Sequence, residues 1–168
     1  MARVYTKIGD VFFAELTGET KKYFQYIAND RNQLGSDFIR VFSKVYNLKD
    51  EPELYQVVKG DVEFYAHCSV NSGVKLGHWK KVGNIYEKGD LNKVLFRSKK
   101  DYGIADLNIR GLSHQWEVWN IKDYIIHKMD KLGKEYRGVD IGPIIPPEWI
   151  VSRMKTGKYD FVYPAIDE

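Results

Sequence analysis

The sequence predicts an α+β fold in which mostly antiparallel strands form one strongly bent or barrel-like sheet, accompanied by two or three short helices. Short runs rich in aromatic and β-branched residues recur between turn signals, which is the pattern of antiparallel strands. Helical patterns are few, and they do not alternate regularly with the strands as they would around a parallel sheet. Because 168 residues is the size of one domain, a single domain is predicted to span residues 1–168.

Composition is typical of a folded protein without a membrane span. The chain is 43% hydrophobic and 29% charged, whereas disordered chains combine low hydrophobicity with high net charge. Its single cysteine cannot close an internal disulfide, and the segment MARVYTKIGDVFFAEL lacks the pattern of a secretory signal. No apolar run approaches the roughly 20 residues needed to cross a bilayer. The cytoplasm is the predicted location.

The first half of the chain carries the clearest strand patterns. Residues 10–16 and 21–28 flank the turn-like TGET and are predicted to form a hairpin. A third strand is predicted at residues 37–46, where both alternating sides carry large side chains. Residues 51–58 are predicted to form a short helix, because Pro52 suits a first helical turn and apolar residues follow at helical spacing.

Residues 61–70 alternate most regularly between apolar and polar side chains. This alternation places consecutive side chains on opposite faces of a strand, so Cys68 joins the apolar face and His67 the polar face. The following NSG is a turn signal, and VKLGHWKKVG has the pattern of a partner strand. Residues 62–82 are therefore predicted to form a hairpin.

The second half of the chain mixes strand and helix patterns. Strands are predicted at residues 94–98, 114–121 and 159–164, an extended segment at 138–145, a helix at 146–157 and a loop at 99–113. Residues 122–132 fit helical spacing slightly better than a continued hairpin, and both interpretations stay open. Trp116 and Trp119 fall on opposite faces of one strand, so one of them needs a cover outside a single-sided core. The helix that carries Trp149 is a candidate for that cover.

Reactive and metal-binding chemistry finds little support in the sequence. Cys68 lies on the predicted apolar face, away from His67, and a small sulfur among apolar neighbours is usually core filling. His67, His78, His114 and His127 lack the ligand spacing of a zinc site. Neither a phosphate-binding GxxxxGK[ST] loop nor a GxSxG elbow is present. We therefore predict no cofactor, no metal and no catalytic residue.

Basic residues are concentrated in one stretch, although the net charge of +3 is small. Residues 75–100 carry eight basic side chains and two acidic ones, which suits an acidic partner surface. KLGHWKK within this stretch also combines cations with an aromatic ring, as single-stranded nucleic-acid surfaces do. A nucleic-acid binder that uses the basic Trp79 hairpin is therefore a less favoured alternative.

Six segments spread over most of the chain carry a family resemblance. They read KIGDVFFAEL, KKYFQYIAND, DVEFYAHC, GHWKKVG, WEVWNI and RMKTGKYDFVYP. Together they resemble bacterial proteins of the immunity protein 26 type from polymorphic toxin systems. The resemblance implies a small intracellular protein that binds and neutralises a cognate toxin. It includes no catalytic motif, so it implies no site residues.

The favoured hypothesis is a non-enzymatic protein-binding domain, an immunity protein that neutralises a cognate bacterial toxin or binds another protein. The predicted partner-binding residues are His67, His78, Trp79, Lys80 and Lys81. Depending on register, His67 would lie beside His78 with Lys80 or beside Trp79 with Lys81. A hydrolase-type enzyme with a site near His67 and His78 is an alternative from another class. The sequence leaves the oligomeric state open.

Overall fold

Nine strands and three α-helices make up the described part of this computed structural model, which comprises residues 4–100, 113–123, 126–161 and 163. The strands form two mostly antiparallel sheets, so the predicted α+β class is confirmed. Within these residues both sheets are open, with an edge strand at either end, and neither closes into a barrel.

The chain divides into two compact units. The first consists of Met1–Gly89 and Ile144–Asp160, and the second consists of Asp90–Pro143 and Phe161–Glu168. Each unit contains one of the two sheets. The single domain predicted over residues 1–168 is not decided by this division and stays a prediction.

The first unit is built on a five-stranded antiparallel sheet. Its strands are β1 (Asp10–Glu15), β2 (Thr20–Asp30), β3 (Ser36–Asn47), β4 (Val62–Cys68) and β5 (Lys80–Asn84), in the order β4-β3-β2-β1-β5. The predicted hairpin is β1–β2, and the predicted third strand is β3, so both are confirmed. Register shifts interrupt three of the strand pairs, and such bulges bend a strand and increase its twist.

Three short helices also belong to the first unit: α1 (Leu54–Val57), α2 (Val70–Lys75) and α3 (Pro147–Thr156). α1 and α3 confirm the helices predicted at residues 51–58 and 146–157. Pro147 lies in the first turn of α3, and Gly157 ends it at a φ of 82°, which glycine adopts without strain. None of the helices in the described ranges is long and apolar enough to span a membrane.

The predicted hairpin of residues 62–82 is wrong in its second half. β4 confirms the first strand, but the chain then enters α2, where the Ser69 side chain accepts the N–H of Ser72 and caps the helix. Nε1 of Trp79 donates a hydrogen bond to the carbonyl of Val70, the first residue of α2. β5 pairs with β1 at the far edge of the sheet instead of with β4.

Both faces of the five-stranded sheet are covered. On one face the rings of Phe12 and Phe24 stack with centroids 5.1 Å apart, and Trp79 meets Phe24 edge-on at 5.0 Å. Val11 points to the opposite face, because consecutive strand residues alternate. There a second buried cluster comprises Val11, Tyr23, Phe42, Val57 and Val58. The sheet remains exposed at its β5 edge, where four of the five residues are accessible.

The second unit contains a four-stranded sheet. Its strands are β6 (Leu95–Lys99), β7 (Trp116–Asn120), β8 (Ile126–Met129) and β9 (Asp140–Ile141), in the order β8-β7-β6-β9. β9 runs parallel to β6, and the other pairs are antiparallel. β6 and β7 confirm the strands predicted at residues 94–98 and 114–121, and β9 lies in the predicted extended segment.

The two tryptophans of β7 are both buried. Trp116 shares a core cluster with Leu132. Trp119, on the other face, lies 6.0 Å from the ring of Phe96 and against Gly142. Residues of the second unit therefore bury both faces of β7. The helix expected to provide it, α3, belongs to the first unit.

The slightly favoured helix at residues 122–132 is wrong for Ile126–Met129, which forms β8. Pairing with β7 decides the conformation, because Ile126 lies opposite Trp119 in an antiparallel ladder. Tyr124 and Ile125 lie outside the described residues.

Two further predictions fall partly or wholly on residues that are not described. The strand predicted at residues 159–164 does not form at 159–161 or 163, which have no strand conformation. Residues 162 and 164 lie outside the described part of the chain. The same is true of residues 101–112, which make up most of the loop predicted at 99–113.

Candidate functional site

The five residues predicted to bind a partner divide between the interior and the surface. His67 and Trp79 are buried, His78 is half-buried, and Lys80 and Lys81 are exposed. His67 lies on β4 at one edge of the sheet, whereas the other four lie on or beside β5 at the opposite edge, with three strands between. The fold therefore brings four of the residues together and leaves His67 apart. Partner binding by these residues stays a prediction.

His67 belongs to a buried polar pair. Its Nε2 atom lies 2.7 Å from Oδ2 of Asp30, and both side chains are fully buried. The imidazole also stacks on the ring of Phe38, with centroids 5.6 Å apart. Asp30 additionally accepts the backbone N–H of Asn32, at the start of a short 3-10 turn. In this conformation His67 joins β4 to the end of β2 and has no accessible surface for a partner or substrate.

Cys68 is a core residue, as predicted, and it is fully enclosed. Burial raises the pKa of its thiol, and the negative charge of Asp37 raises it further. The thiolate is the form that attacks an electrophile or binds a metal. The Cys68 thiol is therefore held protonated and inaccessible in the folded protein.

The histidines are distributed over both units. His67 and His78 belong to the first unit, whereas His114 and His127 are exposed residues of the second. Within the described ranges, no three His, Cys, Asp or Glu side chains lie close enough to hold a metal ion.

Trp79 anchors α2 to the sheet. Its indole N–H donates to the carbonyl of Val70 at 2.9 Å, and its ring packs edge-on against Phe24. Gly73 leaves room for the ring, because any Cβ at that position would overlap the indole. The sequence signal for this contact is the glycine of NSGVKLGHW, six residues before the tryptophan. In this arrangement neither face of the indole is open to a nucleic-acid base.

A groove lies beside β5 and includes three of the predicted residues. It has a volume of about 390 Å³ and is lined by Phe13, Glu15, Gly77, His78, Trp79, Lys80, Val151 and Lys155. We call it the β5–α3 groove. Val151 and Lys155 are four residues apart, so they lie on the same side of α3. Sequence reasoning missed these two residues, because no local pattern connects α3 with β5.

The charges of the groove leave a positive surplus. Nζ of Lys80 lies 3.7 Å from the Glu15 carboxylate, but both side chains are largely exposed, at 70% and 48%, so this pair contributes little stability. Lys155 is exposed, and no carboxylate of the described residues lies within ion-pair distance of it. Lys81 instead lies 2.8 Å from the buried Asp10. Lys80 and Lys155 are therefore the cations available to a ligand.

β5 forms one edge of the five-stranded sheet. Lys80, Lys81, Val82 and Asn84 are exposed along it. Val82 is an extra residue in the pairing with β1, because Val11 lies opposite Gly83 while the next residue of β1 lies opposite Lys81. This edge therefore combines a bulge, two lysines and four exposed residues.

The second unit also has a surface recess, of about 420 Å³. It is lined by Lys100, Gln115, Trp116, Glu117, Lys128, Met129 and Asp130. The Glu117 carboxylate lies 3.4 Å from Nζ of Lys100 and 3.9 Å from Nζ of Lys128. Because these charges are largely matched within the recess, the β5–α3 groove is the better candidate for a charged ligand.

Similarity to other proteins does not define the site further. Comparisons of this chain with protein-family models, with curated proteins and with solved structures gave no match.

Proposed function

We propose that the protein is a non-enzymatic binding domain that neutralises a cognate bacterial toxin, and that the β5–α3 groove receives an acidic part of that toxin. The immunity role follows from the resemblance of the six sequence segments. The observation that carries the binding mode is the positive surplus at Lys80 and Lys155, on a groove whose lining also includes aromatic and aliphatic side chains.

A groove of this composition suits a negatively charged protein surface. Apolar lining from Phe13 and Val151 offers area that a partner can bury, while Lys80 and Lys155 attract acidic groups. Leu76, 67% exposed, immediately precedes the groove residue Gly77 and adds apolar surface. Because the two lysines are exposed, they act mainly on the association rate and on its salt dependence.

Co-expression with toxins encoded next to the gene of this protein tests the immunity role. One such toxin is expected to arrest growth when expressed alone and to be neutralised when this protein is present, and the two purified proteins are expected to form a complex. If no neighbouring toxin is bound or neutralised, the immunity role is wrong. Neutralisation without a complex, lost in His78→Ala, would instead support the hydrolase alternative.

Charge reversal tests the groove. The double variant Lys80→Glu/Lys155→Glu is expected to slow association with the toxin by about tenfold at low salt, and by less at high salt. Lys49→Glu is the matched control, because Lys49 is an exposed lysine of the same unit outside the groove. Unchanged association of the double variant, or an equal effect of the control, would show that the toxin binds elsewhere.

A further inference from the structure

We infer that β5 accepts an extended acidic segment of the partner as an additional strand of the first unit's sheet. The inference rests on the proposed function and specifies the form of the bound segment. Backbone hydrogen bonds to β5 hold the segment, and its acidic side chains contact Lys80 and Lys155.

The backbone of β5 is available for this pairing. β5 ends the sheet, so in the described residues no strand lies on its side away from β1. The exposure of Lys80, Lys81, Val82 and Asn84 shows that this edge is accessible. An open edge presents N–H and C=O groups in a row, and an extended peptide satisfies them by adding a strand.

The charges at the edge select the kind of strand that can be added. Lys81 is already paired with the buried Asp10, so Lys80 at the start of β5 and Lys155 in the groove carry the positive surplus. Opposite charges across a strand pair are stabilising, whereas like charges are destabilising. A strand with acidic side chains near Lys80 is therefore favoured over a basic strand.

The β5–α3 groove adds a binding position for side chains. Side chains of an added strand alternate between the two faces of the sheet, so every second one points to the same side. The groove begins at Lys80, the first residue of β5, and extends to Lys155 of α3. An acidic side chain near the start of β5 therefore lies within reach of both cations.

A protein strand fits the edge better than a nucleic acid does. The lysines would attract phosphates as well as carboxylates. Base stacking, however, requires an accessible ring, and Trp79 is buried with its N–H bonded to Val70. A strand needs only a sheet edge with no further strand on it, and in the described residues β5 is such an edge.

Nuclear magnetic resonance on the full ¹⁵N-labelled chain tests the inference with synthetic peptides about as long as an average strand. An alternating Glu-Val peptide is expected to shift the amide signals of Lys80–Asn84. An alternating Glu-Pro peptide has the same charge but lacks half of the backbone donors, and it is expected to bind at least about tenfold more weakly. An alternating Lys-Val peptide is expected not to bind.

Each contrary outcome has a distinct meaning. Equal binding of the Glu-Val and Glu-Pro peptides would overturn strand addition but leave an acidic partner, and hence the proposed function, intact. Binding of the Glu-Val peptide away from Lys80–Asn84, or no binding, would overturn the site. Tighter binding of single-stranded oligothymidylate to the same amides would identify a nucleic acid as the occupant and overturn the inference.

Discussion

Oδ2 of Asp30 and Nε2 of His67 lie 2.7 Å apart without solvent access to either side chain, so the ends of β2 and β4 are joined through the interior past β3. Removing one member of a buried hydrogen-bonded pair leaves the polar atom of the other desolvated and without that contact. Asp30→Ala is therefore expected to lower the free energy of unfolding by about 1–3 kcal/mol, measured by urea denaturation.

Asp30→Asn is the control for this pair. Asparagine keeps the size of the side chain, an oxygen that can accept the Asn32 N–H and an amide that can bond to neutral imidazole. Asp30→Asn is expected to lower the free energy of unfolding clearly less than Asp30→Ala does. Equal and small losses in the two variants would contradict a role of the pair in stability.

Gly73→Ala is expected to destabilise the first unit by about 1–3 kcal/mol, because the added Cβ would overlap the buried ring of Trp79. Thermal unfolding followed by tryptophan fluorescence measures the loss. Gly18→Ala is the control, since no atom of the described residues beyond its chain neighbours lies within 4 Å of a Cβ placed there, and a change within about 0.5 kcal/mol is expected. If Gly73→Ala is as stable as the control, α2 does not pack on Trp79 as described.

Gly142→Ala tests the prediction of a single domain. Its Cβ would overlap Trp119 in the second unit, just as a Cβ at Gly73 overlaps Trp79 in the first. If the chain is one domain, calorimetry is expected to show one transition that either substitution shifts to lower temperature. Two transitions, each sensitive to only one of the substitutions, would refute the single domain.

Gly89→Ala is expected to destabilise the protein more than Gly35→Ala. Both glycines have positive φ, 75° and 69°, so alanine is strained by a similar amount at each. Only at Gly89 would the Cβ also meet the guanidinium of Arg40, which is held by hydrogen bonds to Gln25 and to the Glu87 carbonyl. Urea denaturation of both variants measures the difference, and equal losses would contradict the fixed position of Arg40.

Cys68 is expected to make stability depend on alkaline pH. Burial raises the pKa of the thiol above its ordinary value of 9.0, so only the unfolded chain loses this proton as the pH passes about 9. The buried, protonated thiol adds its full stabilisation below about pH 9, and this stabilisation is lost progressively as the pH rises above that value. Between about pH 8 and pH 10, the free energy of unfolding is expected to fall by about 1.4 kcal/mol more in the native protein than in Cys68→Ala. Equal pH dependence by urea denaturation would contradict the burial.

Local patterns were sufficient for much of the first unit. Strands β1, β2 and β3 follow from aromatic and β-branched runs around turn residues, and α3 follows from Pro147 and Gly157 at its ends. Each of these signals lies inside the element that it predicts. Local chemistry decides the conformation at these positions, so a single sequence reveals it.

The features that the sequence pattern did not reveal depend on partners distant in the chain. The alternation of residues 61–70 places His67 on the polar face of its strand. In the structure His67 is buried and bonded to Asp30, which lies 37 positions earlier in the chain. β8 satisfies helical spacing, yet its pairing with β7 makes it a strand. In the candidate groove, Lys155 comes from a helix far along the chain, and no sequence pattern links it to Lys80.

The discontinuity of the first unit has a consequence for synthesis. α3 supplies Val151 and Lys155 to the β5–α3 groove, but all of Asp90–Pro143 is translated between β5 and this helix. At translation rates of about 5–20 residues per second, roughly 4–14 seconds pass between synthesis of the end of β5 and synthesis of the end of α3. During that interval one wall of the groove does not exist. A newly made chain therefore acquires the complete groove only after the ribosome has passed α3.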